Sequence, residues 1–348
     1  MGCVMSTALG CMLCNHKCSI SRLAATFSFF PPNPPSYTVE EGADGECHAK
    51  FTDPETDAAV RTLPPTQNKV SVSVHKLVTK KKQSIVLFHF TCPGAHTTLL
   101  WSHGNAMDVG EMYFFFVQLA DKLRVNVAAY DYAGYGGSTG TSTEANVYAD
   151  VLAVHDFLAA AGVDIERQLV LYGQSIGSAP TMWLATHRSV CATILHTPLL
   201  SGLRVLIKPA SCCSLAGFCS PTCVYGLCDP FPNMHRIKRA SCPILLVHGT
   251  HDQTVDCSHS IELYRRTPEA YRREPYIIKG AGHDNIVEFD PETYFATVQK
   301  FLDSLGPDAQ GAGMPGQSPS AAAVAEAYEV IVNEMCASSQ ADAPSGSR

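Results

Sequence analysis

The chain has 348 residues, of which 46% are hydrophobic and 16% are charged, and its formal net charge is −7 at pH 7. This apolar fraction excludes a wholly disordered chain, a collagen and a coiled coil, and it is enough to bury a core without help from disulfides. The acidic balance provides no basic field, so we expect no nucleic acid partner. The length allows two domains, or one larger domain with tails.

The N-terminal segment carries four of the 15 cysteines, at positions 3, 11, 14 and 18. The odd total, the size of the chain and the lack of a secretory signal pattern argue against a disulfide framework and favour a reducing compartment. The start Met-Gly-Cys-Val-Met-Ser fits the pattern for N-myristoylation of Gly2. One myristoyl chain binds a bilayer only marginally, so a second acyl chain on Cys3 would be needed for stable attachment.

We therefore expect residues 1–36 to be a Cys-rich lipid anchor followed by a Pro-rich connector. The alternatives are a zinc site, formed by Cys11, Cys14 and Cys18 with His16, or a leader that binds neither lipid nor metal. The stretch 20–30 contains Arg22 and is too short to span a bilayer. Three of its apolar residues are spaced as on one face of a helix: Leu23, Phe27 and Phe30. This face could lie in the membrane interface or pack on the body of the protein.

Short β-rich runs alternate with helical patterns from residue 70 to residue 306. The runs 70–78 and 85–90 predict an antiparallel hairpin, with the lysines at 80–82 as a solvated turn or, alternatively, a contact with anionic lipid. Six apolar runs predict buried parallel strands, at 97–101, 125–130, 169–171, 193–195, 244–247 and 276–278. Helical patterns occupy 110–123, 143–161, 176–187, 259–264 and 291–305. This alternation predicts an α/β fold, with a mostly parallel central sheet and helices on both faces.

A nucleophile motif follows the third of these six runs. Gly173-Gln174-Ser175-Ile176-Gly177 lies between a predicted strand and a predicted helix, which is the context in which G-x-S-x-G forms a nucleophile elbow. The glycines are needed because the turn is too tight for Cβ atoms beside the serine. We therefore expect the Ser175 hydroxyl at the carboxyl edge of the sheet, where ligands of α/β proteins bind.

A serine hydroxyl needs a base to take its proton, and in this arrangement the acid and the histidine follow the serine in that order. Asp252 comes just after the run 244–247, and His283 comes just after 276–278. We expect His283 to act as general base and then general acid, while Asp252 orients the imidazole. Three nearby residues are competitors for these roles: Asp256, His251 and Asp284.

The oxyanion of such a reaction needs two N–H donors. One is the backbone N–H of Ile176, directly after the nucleophile. The loop after 97–101 offers the other, from Asn105 first and Ala106 second, while His103 is expected to brace this loop. This chemistry requires no cofactor and no metal.

A second Cys-rich segment, 211–228, contains five cysteines and no charged residue. It lies where a lid is often inserted, and we take 203–235 as the candidate lid. The segment could line an acyl groove, touch the bilayer or contribute small buried side chains. Its cysteine spacing contains no paired C-x-x-C, which argues against metal binding. Beyond residue 306 the composition predicts a disordered tail, 306–348, with one possible helix at 321–335.

Seven motifs together resemble one family. They are Ser-His-Gly-Asn-Ala at 102–106, Tyr-Asp-Tyr-Ala-Gly-Tyr-Gly-Gly-Ser at 130–138, Gly-Gln-Ser-Ile-Gly at 173–177, His-Thr-Pro-Leu-Leu-Ser-Gly at 196–202, Asp-Pro-Phe-Pro-Asn at 229–233, His-Gly-Thr-x-Asp at 248–252 and Gly-Ala-Gly-His at 280–283. Over about residues 20–305 the sequence resembles the alpha/beta hydrolase domain-containing protein 17 family, whose members are membrane-associated protein depalmitoylases anchored by a palmitoylated Cys-rich N-terminus.

The resemblance implies an α/β-hydrolase fold over 37–305, with Ser175, Asp252 and His283 as a triad and Cys11, Cys14 and Cys18 as palmitoylation sites. This sequence departs from the family in two respects. Its Met-Gly-Cys start would add a myristoyl group to the palmitoyl groups of the family. Its segment 211–228 is longer and richer in cysteine than we expect for the family.

We therefore expect a lipid-anchored monomer on the cytoplasmic face of the plasma membrane or an endosomal membrane, with S-acylated membrane proteins as substrates. The alternatives are a lipase or esterase that acts on a lipid or small ester, and a catalytically silent lipid-anchored scaffold.

Overall fold

The computed structural model describes residues 28–42, 45–206 and 229–306. The expected lipidation residues, the alternative zinc ligands, the Cys-rich segment 211–228 and the tail after residue 306 lie outside the described residues. Their assignments stay predictions, as do the three domain boundaries.

One ten-stranded sheet forms the body of the protein, in the order β1-β2-β3-β4-β6-β5-β7-β8-β9-β10. The strands are β1 (Tyr37–Glu41), β2 (Cys47–Phe51), β3 (Ser71–Val78), β4 (Ser84–Thr91), β5 (Thr98–Ser102), β6 (Asn126–Tyr130), β7 (Leu169–Gln174), β8 (Ala192–His196), β9 (Ile244–Gly249) and β10 (Tyr276–Ile278). Strands β1 to β4 pair antiparallel with their neighbours, as β4 does with β6, while β6, β5 and β7 to β10 pair parallel.

Ten α-helices accompany the sheet in the described part of the chain. They are α1 (Pro54–Arg61), α2 (Tyr113–Leu123), α3 (Glu144–Ala160), α4 (Ile165–Gln168), α5 (Ser178–Ala185), α6 (Gly202–Leu206), α7 (Asn233–Arg236), α8 (Ser258–Arg266), α9 (Ile286–Phe289) and α10 (Pro291–Asp303). The side chain of Thr143 caps α3, and that of Asp290 caps α10. Within the described ranges, each helix is too short or too polar to cross a bilayer.

The predicted architecture is confirmed: the sheet is mostly parallel, an antiparallel hairpin precedes it, and the predicted runs 70–78 and 85–90 form β3 and β4. The lysines at 80–82 are exposed in the turn between these two strands. Strands β1 and β2 and helix α1 were not predicted. Each of the two strands separates its two or three apolar residues by polar or charged ones, so neither contains an apolar run.

The parallel strands are buried on both faces, which makes them a rigid platform. All five residues of β5 and of β8 are buried. The Trp101 ring on β5 stacks on the Tyr172 ring of β7, with 3.6 Å between ring centroids. Since parallel strands end at one edge of a sheet, the loops after β5, β7, β9 and β10 are brought to the same edge.

Candidate active site

The turn after β7 holds Ser175 in a left-handed backbone conformation, with φ of 53°. The chain passes from β7 into one 3₁₀ turn, Ser175–Gly177, and then into α5. Such a φ costs a non-glycine residue about 1–3 kcal/mol, so the surrounding packing must hold it in place. Ser175 is half-buried and lies at the carboxyl edge of the sheet, as the G-x-S-x-G motif predicted.

Both glycines of the motif are required by close approach. A Cβ on Gly177 would lie 2.1 Å from the carbonyl oxygen of Ser102, at the end of β5. A Cβ on Gly173 would lie 2.6 Å from Thr181 Oγ1 and 2.8 Å from the Gly177 carbonyl oxygen. Only glycine lets the turn pack this tightly against β5 and α5.

The structure brings Ser175, His283 and Asp252 into one hydrogen-bonded relay. The Nε2 atom of His283 lies 2.9 Å from Ser175 Oγ, and its Nδ1 atom lies 2.6 Å from Asp252 Oδ2. The His283 side chain is 11% exposed, and the Asp252 side chain is fully buried. A nucleophile, a base and a group that orients the base are therefore within hydrogen-bonding reach of one another.

The Asp252 carboxylate accepts four hydrogen bonds. Its Oδ1 accepts from the backbone N–H groups of Thr254 (2.8 Å) and Val255 (2.7 Å), and its Oδ2 accepts from His283 and from His248 Nε2 at 3.1 Å. Burial raises the pKa of Asp252, but the hydrogen bonds from His248 and His283 outweigh burial and hold the pKa well below its usual value of 3.8. Asp252 is therefore ionised at neutral pH.

His248 is a further site residue, for which the sequence motifs predicted no role. Its Nε2 faces two acceptors, the Asp252 carboxylate and the carbonyl oxygen of Val255 at 2.8 Å, so this nitrogen carries the proton. Its Nδ1 accepts from the Ser260 hydroxyl at 2.7 Å. A signal was available: His248 is a polar residue at the buried end of an apolar strand, four positions before the acid.

The three competitors for the triad lie elsewhere. Asp256 Oδ1 accepts from the Ser258 N–H, where α8 begins, and His251 is exposed. Asp284 is exposed at the edge of the pocket that contains Ser175. The carboxylate against His283 is that of Asp252.

A pocket of about 240 Å³ opens over Ser175, and Asn105 and Ile176 both line it. The Asn105 side-chain oxygen accepts from three donors: the Phe30 N–H (2.9 Å), the Tyr135 hydroxyl (2.7 Å) and the Ala106 N–H (2.9 Å). Ala106 itself has a φ of 57°. The loop expected to supply the second oxyanion donor is therefore fixed in place next to the nucleophile.

His103 lies beneath this loop. It is fully buried, its Nδ1 donates to the Gly104 carbonyl oxygen at 2.7 Å, and its ring packs on that of Tyr132. Burial lowers the pKa of His103 to about 4, so the ring is neutral at pH 7. These contacts suit the bracing role expected from the sequence.

Much of the pocket wall is apolar, and part of it belongs to the foot of the candidate lid. The apolar side chains are those of Met107, Ile176, Leu199, Val205 and Val255. The chain on the two sides of the segment 207–228 is clasped together: Arg204 pairs with Asp229 at 2.6 Å, and the Gly202 N–H donates to the Pro230 carbonyl oxygen at 2.8 Å. Residues 207–228 themselves lie outside the described residues.

Residues 28–30, which we call the strap, lie against the other side of the pocket. Ser28 lines the pocket, and the Phe29 ring is 8% exposed, whereas Phe30 is 53% exposed. Helical spacing had selected Phe30, with Leu23 and Phe27, as the apolar stripe. In the structure Phe29 is the ring that packs on the body, while Leu23 and Phe27 lie outside the described residues.

The part of the chain that the structure describes contains no cluster of three His, Cys, Asp or Glu side chains that could hold a metal ion. The zinc alternative for the N-terminal cysteines concerns residues outside this part.

Comparison with known proteins gives consistent results. The model of the prolyl oligopeptidase family matches residues 137–304. The chain is 35% identical to alpha/beta hydrolase domain-containing protein 17C of Xenopus tropicalis, over 84% of this chain and 92% of that protein. It is 33% identical to alpha/beta hydrolase domain-containing protein 17B of Homo sapiens, over 80% of this chain and 90% of that protein.

Among solved structures, an esterase from Pyrococcus furiosus matches with a TM-score of 0.55 and 19% identity, over 70% of this chain and 97% of that one. A membrane phospholipase A described as a bacterial virulence factor matches with a TM-score of 0.51 and 22% identity, over 71% of this chain and 90% of that one. At these identities the two structures support the fold alone.

Substitution of Gly177 by Ala should destabilise the protein, because the new Cβ would meet the Ser102 carbonyl oxygen, which is part of the backbone and cannot swing away. We expect the free energy of unfolding in urea to fall by about 3 kcal/mol. Gly306→Ala is the control, since the nearest atom to its Cβ would be 3.7 Å away. Equal unfolding midpoints for the two variants would contradict the close-approach argument.

Substitution of His248 by Phe should raise the pKa of Asp252, because it removes one of the four donors. A depressed carboxylate pKa adds stability above the unfolded-state pKa, and this stability is lost as the pH falls through the folded-state pKa. We expect the variant to be less stable than the wild type by about 2 kcal/mol at pH 7. Because the unfolded state is the same in both proteins, the gap should narrow only as the pH falls to the folded-state pKa values of Asp252, well below 3.8.

His248→Gln is the matched control in the same urea titrations, since it keeps an N–H donor and should lose less stability. Equal losses of stability in His248→Gln and His248→Phe at pH 7 would show that the missing N–H donor is not the cause.

Proposed function

The chain belongs to the alpha/beta hydrolase domain-containing protein 17 family, and we propose that it is a serine hydrolase that removes long-chain acyl groups, such as palmitoyl, from cysteines of membrane-associated proteins. The observation that carries this proposal is the relay from Ser175 Oγ through His283 to the buried carboxylate of Asp252, at 2.9 and 2.6 Å. A strained serine, with φ of 53°, that lies within hydrogen-bonding distance of a histidine favours an enzyme over a catalytically silent scaffold.

The reaction proceeds in two halves. His283 Nε2 takes the Ser175 hydroxyl proton as Oγ attacks the carbonyl carbon of the thioester, and the oxyanion accepts from the N–H groups of Ile176 and Asn105. The C–S bond then breaks, His283 returns the proton to the sulfur, and the cysteine leaves as a thiol. A water molecule, deprotonated by the same histidine, then attacks the carbonyl carbon of the acyl-enzyme. The bond from this carbon to Ser175 Oγ breaks, His283 returns the proton to Oγ, and the fatty acid is released. Asp252 stabilises the imidazolium formed in both halves.

The pocket suits the reacting end of an apolar acyl chain. Its volume of about 240 Å³ lies below the range of roughly 300–1,000 Å³ that is usual for sites enclosing a whole ligand. A long acyl chain therefore extends beyond it. Gly202 and Val205 bring the pocket wall to the start of the uncharged, Cys-rich segment 211–228, which we assign to the remainder of the acyl groove.

The membrane position of the substrate fits an anchor at the N-terminus. We propose myristoylation of Gly2 and palmitoylation of Cys3, Cys11, Cys14 and Cys18, which would hold the protein on the cytoplasmic face of a membrane. Ser28 lines the active-site pocket, so the chain that follows this segment enters the body at the site itself. This arrangement favours substrates that lie in the same membrane.

Substitution of Ser175 by Ala should abolish labelling by a fluorophosphonate probe and lower palmitate release from an S-acylated membrane protein by at least about 10³-fold. Ser258→Ala is the control, since Ser258 is exposed on α8. If the probe does not label the wild-type protein, the result would contradict the proposed serine hydrolase function and favour the alternative of a catalytically silent scaffold. Labelling of Ser175 together with hydrolysis of lipid or small esters only would leave the hydrolase standing and exclude the thioesterase.

Replacement of Gly2 and Cys3 by Ala should move the protein from the membrane to the soluble fraction of expressing cells, because it removes two of the proposed acyl attachment points. Cys47→Ala, in β2, tests the effect of losing a cysteine in the body of the protein and should leave the distribution unchanged. Continued membrane residence of the double variant would count against the myristate-plus-palmitate anchor.

A further inference from the structure

The strap makes two kinds of contact with the loops around Ser175. Its backbone bonds to the Asn105 loop: the Phe30 N–H lies 2.9 Å from both Asn105 Oδ1 and the Tyr135 hydroxyl oxygen. The Tyr135 hydroxyl in turn donates to Asn105 Oδ1 at 2.7 Å. Burial raises the pKa of Tyr135, so this proton stays in place at neutral pH. The strap, Tyr135 and Asn105 therefore form one closed set of hydrogen bonds.

The Phe29 ring fixes the position of this backbone. It packs edge-on against three rings, those of Tyr132, Tyr135 and Phe231, at centroid distances of 6.2, 6.4 and 5.8 Å. Tyr132 donates to the His103 carbonyl oxygen at 2.7 Å, directly before the Asn105 loop. Phe231 follows the foot of the candidate lid. The slot for Phe29 is therefore built from two parts of the chain, one bonded to the Asn105 loop and one that follows the segment 207–228.

The Asn105 loop needs such support from outside. Ala106 has a left-handed backbone, with φ of 57°, and its N–H bonds only to the neighbouring Asn105 side chain. The other two donors to Asn105 Oδ1 are the strap and Tyr135. If the strap moved, the Asn105 side chain would keep one long-range contact instead of two, and its loop would be held less firmly beside Ser175.

We propose that Phe29 is a positioning residue for acyl transfer: its ring holds the strap so that the Phe30 N–H orients Asn105, whose own backbone N–H stabilises the oxyanion. This proposal rests on the serine hydrolase function proposed above. Through Asn105, the residues next to the N-terminal Cys-rich segment would influence the rate of acyl transfer, although they lie far in sequence from Ser175.

The test compares full-length Phe29→Ala with Phe301→Ala, a matched loss of a buried ring from α10. Fluorophosphonate titration gives the fraction of active enzyme, so that kcat for a p-nitrophenyl ester is expressed per active site. Loss of a whole oxyanion donor costs about 10²- to 10³-fold in kcat, so we expect a fall of about 10- to 100-fold for Phe29→Ala. KM should stay within about twofold of the wild type, and Phe301→Ala should keep the wild-type kcat.

Two further measurements separate positioning from folding. An alkyl boronic acid, which forms a tetrahedral adduct with Ser175, should bind Phe29→Ala more weakly by the same factor as the fall in kcat. Phe29→Leu keeps an apolar side chain in the slot and should recover most of the activity. If Phe29→Ala does not fold, Tyr135→Phe removes one donor to Asn105 while keeping the ring, and should lower kcat several-fold with KM unchanged.

The outcomes distinguish this proposal from the one on which it rests. A wild type that hydrolyses no ester and is not labelled would overturn the serine hydrolase function. An active wild type whose kcat and boronate affinity are retained in Phe29→Ala, or in Tyr135→Phe where Phe29→Ala does not fold, would overturn the positioning role alone. A fall in kcat of equal size in Phe301→Ala would also overturn it, since the effect would then be one of general stability.

Discussion

The approach of the Ser175–Gly177 turn to the end of β5 is the contact on which the site depends. The carbonyl oxygens of Ser102 and His103 lie 2.1 and 2.7 Å from the position that a Cβ on Gly177 would take, and the same two residues lead into the Asn105 loop. The nucleophile and the predicted oxyanion donor are thus positioned by one contact between adjacent strands. The strain at Ser175 and at Ala106 is carried by the buried sheet, whose central strands leave little room to relax.

The electrostatics of the site converge on the Asp252 carboxylate. Two backbone N–H groups and two imidazoles donate to it, so the carboxylate stays charged although it is buried. The charge fixes the tautomer of His283, with the proton on Nδ1 and the lone pair of Nε2 toward Ser175. His248 is the second imidazole that donates to Asp252. On the other side of the pocket, the Phe30 N–H of the strap donates to the Asn105 side chain.

The sequence was sufficient for those parts of the fold that follow from local pattern. Apolar runs located the parallel strands, and because such strands end at one edge, the residues just after them, Ser175, Asp252 and His283, could be expected to lie together. The contacts of Phe29 could not be predicted, because they depend on packing between distant segments: the Phe30 N–H reaches a tyrosine 105 residues away. Helical spacing therefore selected Phe30, whereas the structure buries the neighbouring ring of Phe29. His248, by contrast, contacts Asp252 and Ser260, only 4 and 12 positions further on, and its place at the end of a buried strand was a signal in the sequence.

The clasp between Arg204 and Asp229 has a consequence for how sites of this kind diversify. The residues that flank 207–228 are held together by these contacts, so the body of the protein already brings the two ends of any loop between them close to each other. Each doubling of such a loop's length costs only about 0.6 kcal/mol. Insertions, deletions or grafts between these two clasped ends should therefore lower the stability of the protein only slightly and leave the Ser175–His283–Asp252 relay in place.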